Sequence, residues 1–155
     1  MPSKPPDFKL DDAFGFTVNQ TAFLMTEEIA KRFAALGYPL VAQDFGLLYR
    51  LEERGSLTQA EVGAMLQRDK TTVTRRIDGL VKKGMVERSV DPKDRRCFHI
   101  GLTPEGAKAL KSMKPLVKGF QTEVLSDISE SEKRIAMKVL KAVTQKLTRN
   151  KSQEA

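Results

Sequence analysis

The chain has 155 residues, of which 40% are hydrophobic and 30% charged, with a formal net charge of +7. That length is typical of one domain, which can bury about two-thirds of its unfolded surface. No stretch approaches the roughly 18 consecutive apolar residues of a membrane span, and a single cysteine excludes an internal disulfide and fits a reducing cytoplasm.

The amino-terminal third is predicted to be helical after a flexible lead. Residues 1–9 are rich in proline and lack the apolar core of an export signal. A first predicted helix ends at Gly37, and Pro39 restarts a second, which stops near Gly55. The periodic apolar residues of these two helices are Phe16, Phe23, Ala30, Phe45, Leu48 and Leu51.

A short capped helix is predicted next. Thr58 and Glu61 have the spacing of a capping box, in which each side chain satisfies the amide of the other residue. Leu57 and Val62 can close a hydrophobic staple over that box. We expect the helix to end near Gln67. Its inward residues are predicted to be Val62, Met65 and Leu66.

The following helix has one apolar and one polar face. Asp69 stands three residues before Thr72, where it can cap the helix, and Gly84 fits the left-handed position just past its end. The predicted buried stripe is Val73, Ile77, Leu80 and Val81. At about 100° per residue, the opposite face carries Thr71, Arg75, Asp78 and Lys82.

The polar face of that helix carries side chains that suit DNA. Thr and Lys suit base edges and phosphates, and an Arg fork can bond two acceptors of guanine at once. Asp78 is unfavourable beside phosphate, so we expect it to orient Arg75 or Lys82. Gly79 lies on the flank of this face with Thr72. Glycine is less favourable than alanine in a helix interior by about 1 kcal/mol. A backbone that has to come close at this position would explain why glycine is present. Taken alone, this face is equally typical of a solvated amphipathic helix.

A basic hairpin is predicted after this helix. Two short strands at residues 85–90 and 97–102 flank a turn-rich loop at residues 91–96, which carries three positive charges. Phe98, Ile100 and Leu102 alternate onto one face. A polar-faced helix followed by a basic hairpin is the winged helix-turn-helix arrangement, which fills one groove of DNA and straddles the neighbouring backbone.

Charge is concentrated in the same region. Residues 68–96 contain ten Lys or Arg and five Asp or Glu, which gives +5, whereas residues 1–67 carry −3 and residues 104–155 carry +5. A basic centre behind an acidic segment is the footprint expected of phosphate binding. Because the carboxy-terminal segment is also basic, the helix and hairpin locate the binding face, and charge alone does not.

The carboxy-terminal third is predicted to form two helices. Thr103 and Pro104 are a helix start, Pro115 predicts a kink, and Ser129 with Glu132 make a second capping box. The apolar residues expected to line these helices are Leu110, Met113, Val117, Phe120, Val124, Ala136, Val139, Leu140, Val143 and Leu147. From the residues alone, the terminal helices either fold back on the domain or pair with a second chain.

Four motifs together resemble the DNA-binding core of the MarR family of bacterial transcriptional regulators. They are TTVTRRIDGL, GMVER, the DPKDRR wing and the closing LTPEG. With flanking helices of the right size, the resemblance covers nearly the whole chain. It implies a mainly α fold: a winged helix-turn-helix with a small β-hairpin wing and amino- and carboxy-terminal dimerisation helices.

The resemblance also implies a homodimer and a set of DNA contacts. Each subunit would lay its recognition helix in a major groove and its wing in an adjoining minor groove. Arg95 would read DNA at the wing tip, and Asp94 would hold an arginine in place. The predicted DNA-binding residues are Thr71, Thr72, Thr74, Arg75, Lys82, Asp94, Arg95 and Arg96.

The predicted domain organisation follows from the same resemblance. After the lead at residues 1–9, one winged-helix domain covers residues 10–150. Its dimerisation helices are residues 10–37 and 104–150, and its DNA-binding lobe is residues 38–103. Residues 151–155 are predicted to be a tail.

No catalytic or metal centre is predicted. His99 is the only histidine, so any Ser-His-Asp or Cys-His centre depends on it, and a solvated strand histidine is the preferred interpretation. One His and one Cys are too few for a zinc site, and no G-x-x-x-x-G-K-[ST] loop is present. Peroxide-sensing relatives carry a cysteine in the first helix, where this chain has none, so we expect no redox duty for Cys97. We predict neither an enzyme nor a cofactor.

The sequence therefore predicts a DNA-binding transcriptional regulator, specifically a ligand-responsive repressor on a pseudo-palindromic operator. Half-sites about 10 base pairs apart fit a two-fold dimer. The resemblance implies a small anionic aromatic effector, but the aromatic residues near the start are equally good dimer-core residues, so none is assigned as a contact. They are Phe14, Phe16, Phe23 and Tyr38. The alternative is an interaction module that binds an acidic protein with the same surface.

Overall fold

The computed structural model describes residues 7–153, and it divides the chain into two units at residues 1–116 and 117–155. Residues 1–6 of the predicted lead and 154–155 of the predicted tail lie outside the described residues. Between residues 7 and 153 the chain forms six α-helices and one three-stranded antiparallel sheet, which confirms the predicted fold class. None of these helices is both long and apolar enough to span a bilayer.

The elements follow the predicted order closely. A 3-10 turn at Leu10–Asp12 comes first. The elements after it are α1 (Phe14–Ala35), α2 (Ala42–Arg54), β1 (Ser56–Thr58), α3 (Gln59–Leu66), α4 (Lys70–Lys82), β2 (Val86–Val90), β3 (Phe98–Leu102), α5 (Pro104–Val124) and α6 (Glu130–Gln153). The last helix thus continues into residues that were predicted as tail.

The second helix begins later than predicted. It starts at Ala42 and not at Pro39. Leu40 is buried, so the chain turns it inward before the helix begins. The carboxylate of Asp44 then accepts a hydrogen bond from the backbone N–H of Val41 at 3.0 Å, which makes Val41 the residue before the first turn.

The sheet contains one strand that the sequence did not predict. Its order is β1-β3-β2, with all neighbours antiparallel. Leu57 in β1 lies opposite Ile100 in β3, and both are buried. A strand of three residues is too short to show a period-two pattern, so its sequence carries no readable signal.

The capped start of α3 is confirmed. The Glu61 backbone N–H donates to Thr58 Oγ1 at 3.2 Å, and the Thr58 N–H donates to Glu61 Oε2 at 2.7 Å. Hydrogen bonds to the Glu61 carboxyl from the Thr58 backbone N–H and, second, from the Thr58 side chain hold its pKa below the ordinary value. Leu57 and Val62 are both buried, as the predicted staple requires.

Both ends of α4 are also as predicted. The Thr72 N–H donates to Asp69 Oδ1 at 2.9 Å, which caps the amino end. The hydroxyl of Thr72 donates to the other carboxylate oxygen and, with that N–H bond, lowers the pKa of Asp69. At the carboxy end Gly84 has φ +72°, and the Met85 N–H donates to the Leu80 carbonyl at 2.9 Å, a Schellman motif.

The buried stripe of α4 is narrower than predicted. Val73, Ile77 and Leu80 are buried, whereas Val81 is 37% exposed. At about 100° per residue Val81 lies about 80° around the helix from Val73, at the margin of the stripe. The prediction that Val81 is buried was therefore wrong.

The core of the first unit lies between α2, α4, the sheet and the start of α5. Its largest fully buried side chains include Leu47, Leu48, Leu51, Leu57, Ile77, Leu80, Ile100, Leu110 and Met113. Phe33 of α1 is also fully buried, and its ring lies 5.9 Å from that of Phe45 in α2. The carboxy-terminal part of α1 thus joins this core.

A buried ion pair crosses the core from α2 to α4. Asp44 is 6% exposed, and its Oδ1 accepts a hydrogen bond from Arg76 Nη1 at 2.6 Å. Its Oδ2 accepts from the Val41 N–H, so one carboxylate both starts α2 and holds α4. Removing one partner of such a pair leaves a charge that is largely withdrawn from water, which is destabilising.

The start of α5 packs directly on the turn after α4. Thr103 Oγ1 accepts from the Gly106 N–H at 3.0 Å and donates to the Gly84 carbonyl at 2.5 Å, which confirms the predicted cap. A Cβ on Gly106 would lie 1.9 Å from the Met85 carbonyl oxygen, so only glycine allows this approach. The helix continues unbroken through Pro115, and the kink there stays a prediction.

The second unit comprises the end of α5 and α6. The Ser129 N–H donates to Glu132 Oε2 at 2.9 Å, and the Glu132 N–H donates to Ser129 Oγ at 3.2 Å, which confirms the second capping box. The apolar residues predicted to line α6 are all exposed in the single chain: Ala136, Val139, Leu140, Val143 and Leu147.

Replacing Arg76 should destabilise the protein much more than replacing its neighbour. We expect Arg76→Met to lower the free energy of unfolding by roughly 2–3 kcal/mol, because the buried Asp44 carboxylate would lose its charged partner. The exposed Arg75→Met is the matched control and should change it by at most about 0.5 kcal/mol. Urea denaturation at one fixed protein concentration measures both. Equal losses from the two variants would contradict the role given to the ion pair.

Candidate nucleic-acid interface

The outer face of α4 presents the residues that the helical period places there. Thr71, Arg75, Asp78 and Lys82 are all exposed. Among residues 7–153, none forms a hydrogen bond or ion pair with the side chains of Thr71, Arg75 or Lys82. Thr71 and Arg75 stand one turn apart, so a hydroxyl and a guanidinium are offered side by side to a partner outside the chain.

Thr72 and Thr74 occupy a different environment from Thr71. Both are half-buried, and the Thr72 hydroxyl donates to Asp69 Oδ2 at 2.6 Å. Thr74 Oγ1 donates to the Lys70 carbonyl at 2.8 Å and accepts from Gln59 Nε2 at 2.7 Å. The two hydroxyls thus fix the start of α4 and its contact with α3, and a DNA contact for either stays a prediction.

Asp78 does not orient either of the residues expected. Its Oδ1 lies 2.5 Å from Arg88 Nη2 in β2, and the carboxylate therefore ties α4 to the wing. The expectation of a bond to Arg75 or Lys82 was wrong, because a strand that passes beside the helix offers a guanidinium from another element. Arg88 takes up this charge and leaves Arg75 and Lys82 unpaired.

Gly79 lies on the flank of the same face, beside open space. A Cβ built there would meet no atom within 4 Å, so no protein backbone of residues 7–153 approaches it. The expected close approach is therefore not made within the chain.

Two aspartates fold the wing loop from within. The Asp91 N–H donates to the Cys97 carbonyl at 2.9 Å, and Asp91 Oδ1 accepts from the Lys93 N–H at 2.7 Å. Asp94 Oδ1 accepts from the backbone N–H of Arg96 at 2.9 Å. Asp94 was expected to hold an arginine in place, and it holds Arg96 through the backbone N–H of that residue. Short loops favour this, since an Asp reaches the amide two residues on.

The cations of the wing point away from this internal scaffold. Lys93, Arg95 and Arg96 are exposed, and in the described part of the chain no carboxylate pairs with their side chains. A phosphate that met the loop would not have to displace an internal ion pair. The loop is therefore a folded, basic tip of the kind that can enter a groove.

An open groove joins the wing to the start of α4. Its volume is about 750 Å³, and its cationic lining residues are Arg68, Lys70 and Arg96. Arg68 and Lys70 were absent from the predicted set, although both fall within the basic stretch of the sequence. The fold brings them to the same concave surface as the wing base, which makes that surface strongly positive.

The sequence had indicated a solvated His99, but the structure pairs this residue with an aspartate. Its Nε2 lies 2.7 Å from Asp91 Oδ2, and its side chain is 30% exposed. This hydrogen bond is the main cause that lowers the pKa of Asp91, followed by the bond from the Lys93 N–H. The pairing closes the wing loop at its base, between residues eight apart in the chain.

Comparison with known sequences places the matched region on this surface. The family model described as MarR family matches residues 40–98, from the loop before α2 to the start of β3. The chain is 33% identical over 94 residues to YdgJ of Bacillus subtilis (strain 168), named as an uncharacterized HTH-type transcriptional regulator, covering 61% of this chain and 56% of that protein. It is 33% identical over 82 residues to the transcriptional repressor MprA of Escherichia coli (strain K12), covering 53% and 47%.

The chain thus spans about half the length of these curated relatives. Both are named as regulators of transcription, in agreement with the prediction that the chain is not an enzyme.

Among solved structures, a mutant MarR from Escherichia coli complexed with operator DNA has the same fold. Its TM-score is 0.79 at 24% identity, and the match covers 90% of this chain and 99% of that one. The sequence motifs, the α3–α4 pair with its wing and these matches all agree. Over residues 40–98 the chain is therefore similar to the MarR family, and it has the winged helix-turn-helix fold of the solved MarR.

Proposed function

We propose that this protein is a sequence-specific DNA-binding repressor of transcription that acts as a homodimer on a pseudo-palindromic operator. The observation that carries the proposal is the unpaired face of α4 beside a basic wing. Thr71, Arg75 and Lys82 have no partner among residues 7–153, while the aspartates nearby are engaged elsewhere. The solved MarR that shares this fold was crystallised with operator DNA, which supports the same use of the surface here.

In the proposed complex each part of the surface has a separate task. The exposed face of α4 enters the major groove, where Arg75 can bond O6 and N7 of one guanine. Arg95 at the loop tip reaches into the adjoining minor groove, whose negative potential attracts guanidinium groups. Lys82 and Arg96 neutralise phosphates, which positions the protein without reading sequence.

Exposed apolar residues support the proposed dimer. Phe23 in α1 is 60% exposed, and Leu147 in α6 is 59% exposed. Each helix carries further exposed apolar side chains: Phe14, Phe16, Val18, Leu24 and Met25 in α1, and Ile135, Met137, Val139, Leu140 and Val143 in α6. Apolar patches of this kind mark interaction surfaces. We propose that a second copy of the chain covers them, with residues 10–37 and 104–150 as dimerisation segments around a DNA-binding lobe at residues 38–103.

A small anionic aromatic effector remains part of the proposal. It would act by binding better to a dimer whose recognition helices are wrongly spaced for the operator, which shifts the population away from DNA. Three of the aromatic residues near the start of the chain are exposed and fit the proposed dimer interface, so we assign no effector contact. We also infer a cytoplasmic location, since that is where a bacterial operator lies.

Removing the Arg75 side chain should weaken binding mainly at the true site. We expect Arg75→Ala to lose about 1–3 kcal/mol on DNA from upstream of its own gene and clearly less on a scrambled duplex, because a bidentate contact to guanine depends on sequence. Gel mobility shift on both duplexes measures this, with the exposed Arg134→Ala in α6 as control. Equal losses on the two duplexes would show that Arg75 only touches phosphate. If the unaltered protein binds neither duplex at low salt, the proposed function is overturned.

Lys82 should contribute charge without specificity. Lys82→Ala is expected to weaken binding alike on all sequences and to reduce the slope of log affinity against log salt by about one, since one fewer counterion is released. Lys83→Ala is the matched control, because the Lys83 Nζ already donates to the Pro39 carbonyl at 2.7 Å. A salt slope that is unchanged in the Lys82 variant would rule out its phosphate contact.

The dimer is tested at an exposed leucine. Leu147→Glu should shift the protein toward monomer in sedimentation and weaken operator binding, because a carboxylate would have to be buried in an apolar interface. Gln145→Glu adds the same charge at an exposed polar position two residues away and should leave the dimer intact. A monomeric unaltered protein, or a Leu147 variant as dimeric as the control, would contradict the proposed interface.

A further inference from the structure

Three side chains able to bind metal meet at the base of the wing. Asp91 follows β2, Cys97 precedes β3, and His99 lies within β3. A carboxylate oxygen, the thiol sulfur and a ring nitrogen all lie within 4.8 Å of one another, and each residue is half-buried. Cys97 and His99 are the only cysteine and the only histidine in the chain.

The distances suit a small divalent ion. Zinc binds sulfur at about 2.3 Å and nitrogen or oxygen at about 2.0–2.2 Å, so tetrahedral ligand atoms stand roughly 3.3–3.6 Å apart. The three atoms lie close enough to reach that spacing by side-chain rotation, since none is more than 4.8 Å from another. The Asp91 and His99 pair, now 2.7 Å apart, would open by under about 1 Å.

The backbone holds these three residues in place without an ion. The Asp91 N–H donates to the Cys97 carbonyl, and the Cys97 N–H donates to the Asp94 carbonyl, both at 2.9 Å. Asp91 Oδ1 accepts from the Lys93 N–H, which leaves Oδ2 facing His99. A carboxylate that is oriented by bonds to its other oxygen is a preorganised ligand.

We propose a binding site for a divalent transition metal ion of the zinc type at the base of the wing. Its protein ligands are Asp91, Cys97 and His99. A thiolate, an imidazole and a carboxylate are the donors that zinc and cobalt(II) accept, and three protein ligands leave a fourth position for water. One histidine and one cysteine alone predict no metal site. The fold supplies the third ligand from across the loop.

The site would regulate the proposed DNA-binding surface, and this consequence rests on the proposed function. Binding of M²⁺ releases the thiol proton to solvent, so the wing base gains one positive charge. The ion also joins the two ends of the loop that carries Lys93, Arg95 and Arg96. Both effects favour phosphate, so the metal-bound protein should bind DNA more tightly.

Titration of the purified full chain with cobalt(II), without DNA, tests the site directly. We expect one ion per chain and a thiolate-to-cobalt charge-transfer band in the near ultraviolet. Because Cys97 is the only thiol, that band can report no other residue. Absence of the band at stoichiometric cobalt, or half an ion per chain, would overturn the proposal.

Variants at the three positions identify the ligands. Cys97→Ser should abolish the band, and Asp91→Asn and His99→Gln should each weaken binding at least ~10-fold, since even residues behind the ligands contribute about 10–100-fold. Asp94→Asn removes the same charge three residues away and should retain the wild-type affinity. Equal affinities in the Asp91 and Asp94 variants would overturn the carboxylate ligand.

A second readout remains valid if a substitution perturbs folding. Stoichiometric zinc should slow alkylation of Cys97 several-fold in the unaltered protein and in Asp94→Asn. Unchanged alkylation in the unaltered protein would overturn the site.

DNA binding measured with and without zinc distinguishes a failure of the metal site from a failure of the proposed function. Zinc should raise DNA affinity several-fold in the unaltered protein and leave Cys97→Ser unchanged. If zinc does not change the DNA affinity of the unaltered protein, the proposed coupling between the metal site and the wing is overturned. Failure to bind DNA with or without zinc would overturn the proposed function and leave the cobalt result standing.

Discussion

The buried pair between Asp44 and Arg76 determines which way α4 faces. Successive helical residues point about 100° apart, so fixing Arg76 toward the core turns Arg75 toward solvent. The same carboxylate starts α2 through the Val41 N–H, which couples the orientation of α4 to the helix packed behind it. The exposed face with Thr71 is thus a consequence of one ion pair and of the apolar stripe beside it.

The second constraint is the division of polar groups between structure and surface. Asp69, Asp91 and Asp94 each accept hydrogen bonds from neighbouring residues, and Asp78 pairs with Arg88. Carboxylates close to a DNA-binding face would repel phosphate if they were left free. These contacts direct each carboxylate onto a neighbouring group of the protein, while Arg75, Lys82 and Arg95 have no partner among residues 7–153.

Local signals in the sequence were sufficient for most of the fold. The capping box at Thr58, the cap at Asp69 and the turn at Gly84 are each determined within a few residues, and all three are confirmed. Contacts between distant elements left no such signal. The Asp78 partner, the three-residue β1 and the Asp91–His99 pair depend on which elements the fold brings together, so periodicity and spacing missed them.

The most direct test of the account is a crystal structure of the protein on a duplex from upstream of its own gene. We expect α4 to lie in a major groove with the Arg75 guanidinium within hydrogen-bond distance of a base edge. Arg95 should lie in the adjoining minor groove, and the Asp44–Arg76 pair should be intact. A complex in which Arg75 faces solvent, or in which another surface of the protein meets the DNA, would contradict it.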